Sequence, residues 1–183
     1  HAELPAALGA RAASYRAAAE RQIGARLGPE AIVLPDETVA TTREIDLGGR
    51  VLRLEAHPPA HTGADLTVRD LATDTLFLGD LLFSEHFPSL DGSLTGWIDE
   101  LDALAARPAA RVVAGHGPVS MRWPDAAAPL RAYLSGLAEA ARAAIAAGTP
   151  TLAATRAIAA DRPVGWALGE AFAERNATAA IRE

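Results

Sequence analysis

The spacing of apolar positions changes along the chain, and each change marks an element. Leu4, Leu8, Tyr15, Ile23 and Leu27 fall on one helical stripe through a segment rich in Ala and Arg. That spacing predicts a helix from about Pro5 to Leu27, stopped at Gly28-Pro29 and packed on a sheet, with its arginines on a solvated face. Residues 29–40 contain two prolines and read as a connecting loop. The period then shortens to two. Thr41 to Leu47 reads as a strand and Gly48-Gly49 as a hairpin signal. In Arg50 to Ala56, the residues Leu52, Leu54 and Ala56 alternate with Val51, Arg53 and Glu55. Leu66 and Val68 alternate with Thr67 and Arg69. After the polar turn Asp70 to Asp74, Thr75-Leu76-Phe77-Leu78 is continuously apolar, as in a strand covered on both faces. These strands predict a mainly antiparallel sheet between about residues 41 and 79.

Residues 81–91 read as a loop carrying His86, either a surface histidine or a substrate contact. Ser93 or Thr95 can cap a helix whose buried stripe is Trp97, Ile98, Leu101 and Leu104, with Pro108 just past its end. Arg111 to Ala114 is a short strand that turns sharply at Gly115-His116-Gly117. Leu130, Leu134, Leu137, Ala141 and Ile145 then stripe a helix from about Asp125 to Ala147. Thr149 and Pro150 read as N-cap and first residue of a short helix ending near Ala160. Trp166, Phe172, Ala173 and Asn176 form a last helical face. Strands followed by helices, without repeat or linker, give an α/β (α+β) fold over 1–183 as a single domain. Asn176-Ala177-Thr178 matches a glycosylation sequon, but inside a helix the match is accidental.

Composition narrows the function classes. Half of the 183 residues are hydrophobic and 22% are charged, as in an ordinary globular protein. A net charge of −6 disfavours nucleic acid and anionic membrane surfaces as partners. The absence of cysteine removes disulfides, thiolate ligands and a Cys nucleophile, and leaves the compartment open. No apolar run approaches the roughly 20 residues that span a bilayer. A small molecule is the expected partner, and oligomeric state is not readable.

Chemistry concentrates at three places. Ala56-His57-Pro58-Pro59-Ala60-His61-Thr62-Gly63-Ala64-Asp65, Phe77-Leu78-Gly79-Asp80 and Val113-Ala114-Gly115-His116-Gly117 each follow an apolar, strand-like run. Each stops at a small residue beside a single His or Asp. A lone His near a strand end is more often structural, but His61, Asp80 and His116 together supply two imidazoles and a carboxylate, a set suited to zinc. An idle carboxylate at the end of a buried strand is costly, so Asp80 needs donors, a cation or a metal. The trio is expected to converge at one end of the strands. His57 reads either as support for a ligand or as solvent-exposed. Asp65 reads as pinning its loop through backbone hydrogen bonds rather than orienting a histidine. Ser84, Ser89 and Ser93 lack a nucleophile-elbow context.

His61-Thr62-Gly63-Ala64-Asp65-Leu66, Leu76-Phe77-Leu78-Gly79-Asp80 and Gly115-His116-Gly117-Pro118 resemble the second half of the metallo-β-lactamase superfamily of metallohydrolases. With Gly96-Trp97-Ile98 and Arg175-Asn176-Ala177-Thr178 they are most similar to the branch of quinoprotein relay system zinc metallohydrolases. The resemblance implies the C-terminal part of a four-layer αββα sandwich with extra C-terminal helices. It also implies two zinc ions: His61 on the first, His116 on the second, and Asp80 bridging them as the catalytic carboxylate. The superfamily's His-x-His-x-Asp-His is absent, and His1-Ala2-Glu3-Leu4-Pro5 looks like the segment that follows it. The expectation is therefore a fragment whose first half is missing, truncated at the last helix too, with apolar sheet surface uncovered.

The implied parent hydrolyses an ester, thioester, amide or related bond by metal-bound hydroxide, the fragment itself being inactive. A different class stays open: a metal-free binding or scaffold member of the fold. A di-iron oxidoreductase would need carboxylates in the absent motif and an electron-transfer domain. The branch resemblance points toward the periplasm without naming a scissile bond.

Overall fold

The computed structural model describes residues 4–183. It falls into two compact units, one up to Ala40 and one from Thr41 to Glu183. In the first, helix α1 spans Leu4–Ile23 and a single 3-10 turn spans Pro29–Ala31. The helix stops four residues before the predicted end, because Gly24 takes the left-handed conformation (φ 69°) that closes helices. The periodicity predicts a buried stripe here that is not seen: Tyr15 and Ile23 are exposed. The side chains of Leu4 and Leu8 lie outside the described residues.

The second unit is a mixed α/β layer structure. Its sheet has the order β1 (Thr42–Asp46), β2 (Val51–Ala56), β3 (Leu66–Asp70), β4 (Thr75–Phe83) and β5 (Arg111–His116). Strands β1 to β4 are antiparallel neighbours, and β5 joins β4 in parallel through helix α2 (Leu94–Ala105). The β1–β2 hairpin is tied at Gly48-Gly49, whose amides donate to Asp46 Oδ1 at 2.9 and 2.7 Å. Of the four-layer sandwich that the motifs imply, the described residues show this one sheet and the helices on it.

Register decides which face those helices cover. Leu76, Leu78 and Val112 point to one side and are buried in a core with Trp97, Leu101, Leu104, Leu130 and Leu134. The paired row Leu54, Val68, Phe77 and Val113 points to the other side, where Phe77 is 41% exposed. Helix α2 buries Leu94, Trp97, Leu101 and Leu104 and starts at Ser93, whose Oγ accepts from the Gly96 amide at 3.0 Å. The Glu183 carboxylate adds a second cap, accepting from the Leu94 and Thr95 amides at 2.7 and 3.0 Å.

Helix α3 (Ala128–Ala146) follows a short 3-10 turn at Asp125–Ala127, and its stripe ends at Ala141 because Ile145 is exposed. Helix α4 (Thr151–Ala160) begins one residue later than predicted, with Pro150 itself at the N-cap. Helix α5 (Gly169–Arg182) begins after Trp166, which lies in the preceding loop rather than on the helix. Asn176 is fully buried, accepting from the Leu90 amide at 3.0 Å and donating to Pro88 O and Tyr133 Oη at 2.8 and 3.0 Å. That burial rules out its use as a glycosylation acceptor in the folded chain.

Burial pushes the Tyr133 phenol up to about 12, against a smaller downward pull from the Asn176 hydrogen bond. Folding therefore favours the neutral phenol. Its contribution is intact below the unfolded value near pH 10 and is lost as pH rises through about 12. The chain has no lysine or cysteine, so few other groups titrate in that window. Urea unfolding is expected to lose about 2–3 kcal/mol between pH 9 and 12. Tyr133→Phe should flatten that loss; an unchanged alkaline slope would contradict the assignment.

Candidate metal centre

Asp80 does not terminate its strand. β4 continues through it to Phe83, so the loop read over 81–91 begins only at Ser84. Gly79, at φ 53°, breaks the register with β5, and the pairing resumes at Phe83 opposite His116. The irregularity leaves Asp80 in reach of both candidate histidines while Leu81, Leu82 and Phe83 are buried.

His61 is carried by the turn between β2 and β3. Asp65 pins that turn, accepting from the Thr62 amide at 2.9 Å and the Thr62 hydroxyl at 2.8 Å. The Asp91 amide donates to the His61 carbonyl at 3.0 Å, which anchors the turn to the chain before α2. His116 ends β5 as its last paired residue rather than standing on the turn beyond it.

The three predicted side chains come together. His61 Nε2 lies 3.5 Å from Asp80 Oδ2, and His116 Nε2 lies 3.6 Å from Asp80 Oδ1. Both separations exceed a normal hydrogen bond. They match the roughly 3.3 Å between two donors held about 2.0–2.1 Å from one tetrahedral ion. Each carboxylate oxygen faces a different imidazole, so the arrangement is two pairs sharing Asp80, not three donors around one point. Consistent with this, no set of three or more His, Asp or Glu side chains that could by itself hold a metal is found among the described residues. Two imidazoles and a carboxylate are donor types that zinc takes, and the two pair spacings are near those of donors sharing one ion.

Aromatic packing orients both rings, a feature the residue pattern did not reveal. Phe83 stacks on His116 at 4.8 Å and 16°, and lies 5.6 Å from His61. The Trp97 ring meets His61 at 5.1 Å and 62°, and its indole N–H donates to Leu81 O at 3.0 Å. The buried His61 Nδ1 has no hydrogen-bond partner among the described residues. The signal for Phe83 was the apolar run resuming after Asp80.

His57 is not solvent-exposed. It is buried, with Nδ1 at 2.7 Å from Glu100 Oε1 on α2 and Nε2 at 2.8 Å from Thr67 Oγ1 on β3. It ties helix to sheet. His86 is half-buried with its ring 5.7 Å from that of His116. A cavity of about 780 Å³ lies away from this cluster, between α3, α4 and the segment after Ala160.

Residues 1–116 match the family model described as the metallo-beta-lactamase superfamily. Among solved structures, the chain is similar to a metallo-beta-lactamase from Pontibacter korlensis: 22% identity and a TM-score of 0.50, covering 64% of this chain and 61% of that one. It is also similar to the stereoselective inverting sec-alkylsulfatase from Pseudomonas sp., at 13% identity and a TM-score of 0.58. That match covers 82% of this chain and 27% of the sulfatase. The chain thus spans less than two thirds of either relative. No curated protein matches it. With the family match over most of its length and the mixed sheet in place, the chain belongs to the metallo-beta-lactamase superfamily, whose members are commonly hydrolases.

Proposed function

We propose that this chain carries part of a zinc-dependent hydrolase site acting on an ester, thioester, amide or related bond of a small molecule. The observation that carries the reading is the Asp80 carboxylate, whose two oxygens face separate imidazoles at 3.5 and 3.6 Å. Members of the superfamily typically bind zinc. His61 and Asp80 would hold one ion, and His116 and Asp80 the other. Zinc supplies Lewis-acid polarisation and a water acidic enough to attack near neutral pH. Trp97 and Phe83 keep His61 and His116 aimed at Asp80, and the aromatic wall excludes water from the His61 side. Catalytic zinc carries three protein ligands, so these three side chains alone leave each ion short. The 183-residue chain is expected not to turn over by itself. The motif similarities favour the quinoprotein relay branch within the family.

One observation favours a second reading, a metal-free scaffold: no three-ligand set exists among the described residues. The two are separated by purifying the 183-residue chain and the longest natural form of the protein in zinc. Bound metal is counted, and generic ester, thioester and β-lactam substrates are assayed. Metal and turnover in the longer form, both lost on His116→Ala, support the hydrolase. A longer form that is folded, metal-free and inactive would establish the scaffold.

A further inference from the structure

We propose that the cavity between α3 and α4 binds a straight-chain carboxylate, with the apolar chain along α4 and the carboxylate on Arg162. The site shares no lining residue with the metal centre and stands apart from the zinc reading. Its volume, about 780 Å³, lies in the range that takes small molecules. The cavity reaches Thr149 before α4, Ala154 and Ile158 on the helix, and Asp161 and Arg162 beyond it. It therefore follows the whole helix, roughly 15 Å for ten residues at 1.5 Å each. Gly136 and Ala140 of α3 line it too, and such small residues keep it open. One wall is aromatic. Phe87 meets Tyr133 at 4.8 Å and Trp166 at 6.3 Å, both edge to face. Rings in such contact leave no gap for a cation between them, so they act as one apolar surface. A long slot of this composition fits an alkyl chain.

Asp161 and Arg162 are the charged side chains of the lining, and they differ in burial. Asp161 is exposed, where water and salt screen its charge. The Arg162 side chain is only 37% exposed, and its two partners among the described residues are both at the limit of contact. Its Nη1 is 3.5 Å from the Ala159 carbonyl, and its Nη2 is 4.0 Å from a Glu170 carboxylate that is itself 95% exposed. A guanidinium offers five N–H donors in a fork that matches a carboxylate. Most of that fork is unused here. The arginine stem is fitted all the same: a Cβ on buried Gly169 would fall 3.1 Å from Arg162 Cδ and Nε, so the glycine gives it room. The aromatic wall is fixed by a short parallel bridge to the His86 loop. The Phe87 amide donates to Ala167 O at 2.8 Å, and the Ala167 amide donates to Glu85 O at 2.9 Å. An apolar slot that ends in a partly buried cation with free donors is complementary to an amphipathic anion.

The test is calorimetric titration of the purified 183-residue chain with decanoate, decanol and decyltrimethylammonium, each below its micelle-forming concentration. Decanoate is expected to bind saturably, one per chain, and at least about tenfold more tightly than either analogue, since it alone pairs with Arg162. Arg162→Gln should erase that preference, weakening decanoate about tenfold or more and leaving decanol unchanged. Ala157→Phe, which fills the slot, should abolish binding of all three. In NMR spectra of the unaltered chain, the indole N–H of Trp166 should shift with decanoate, while that of Trp97, buried in the core, should not. Absence of saturable decanoate binding, or equal binding by a folded Ala157→Phe or Arg162→Gln protein, would overturn the proposal. So would tighter binding of decyltrimethylammonium, which would assign the charged end to Asp161. Should a variant fail to fold, the ranking of the three probes and the Trp166 signal of the unaltered chain decide, and an unmoved Trp166 overturns it. None of these outcomes bears on the zinc reading.

Discussion

Asp80→Ala is expected to lower the zinc affinity of the chain by more than about 100-fold, beyond what loss of a supporting residue costs. The reason is the sharing: Oδ2 faces His61 and Oδ1 faces His116, so one substitution removes a ligand from both pairs. His61→Ala, by contrast, removes a ligand from one pair and leaves His116 and Asp80 in place. The metal-free fold should tolerate Asp80→Ala within about 1 kcal/mol, since the side chain is 42% exposed. Calorimetric zinc titration of the two variants beside the unaltered chain checks the ordering. Equal zinc losses for His61→Ala and Asp80→Ala would show that the carboxylate is not shared, and an unchanged affinity in Asp80→Ala would remove the metal reading altogether.

How far the residue pattern carried depends on whether the cause of each feature was local. The strands, the Gly48-Gly49 hairpin and the Ser93 cap were legible, because alternation, turn chemistry and a capping hydroxyl act within a few residues. The convergence of His61, Asp80 and His116 was legible for a related reason. Each follows its own strand, and neighbouring strands bring their ends together. The extent of β4 was not. A charged residue reads as the end of a buried strand, whereas the Gly79 irregularity takes Asp80 to the open edge and lets the apolar run resume.

Features made by distant partners left no local trace. The Glu183 cap on α2 joins residues 89 apart, and His57 meets Glu100 across 43. The bridge from Ala167 to the His86 loop is of the same kind. For α1 the failure runs the other way, since a periodic stripe is present but Tyr15 and Ile23 are exposed. Periodicity records what a helix could bury, not what it meets.

Two glycine-to-alanine substitutions should move stability in opposite directions, and the contrast isolates what holds Asp80. Gly136 lies on the exposed face of α3, and an added Cβ there meets nothing within 4 Å. Gly136→Ala therefore trades backbone entropy for helix propensity and should stabilise by about 0.5–1 kcal/mol. Gly115 is also solvent-exposed, yet its Cβ would fall 1.9 Å from Asp80 Oδ1, 2.7 Å from Gly79 C and 2.9 Å from Asp80 N. The carboxylate could swing aside, but the β4 backbone cannot move without parting the β4–β5 pair. Gly115→Ala should destabilise by about 2–4 kcal/mol, at or above the upper range for overpacking. That corresponds to a fall in Tm of roughly 5–10 °C, and it should abolish zinc uptake by turning Oδ1 from His116. The double variant Gly115→Ala/Asp80→Ala relieves the side-chain clash and keeps the backbone one, so it should recover less than half of the lost stability. Full recovery would place the whole cost on the carboxylate, and a Gly115→Ala protein as stable as the unaltered chain would mean β4 and β5 do not approach as closely as described.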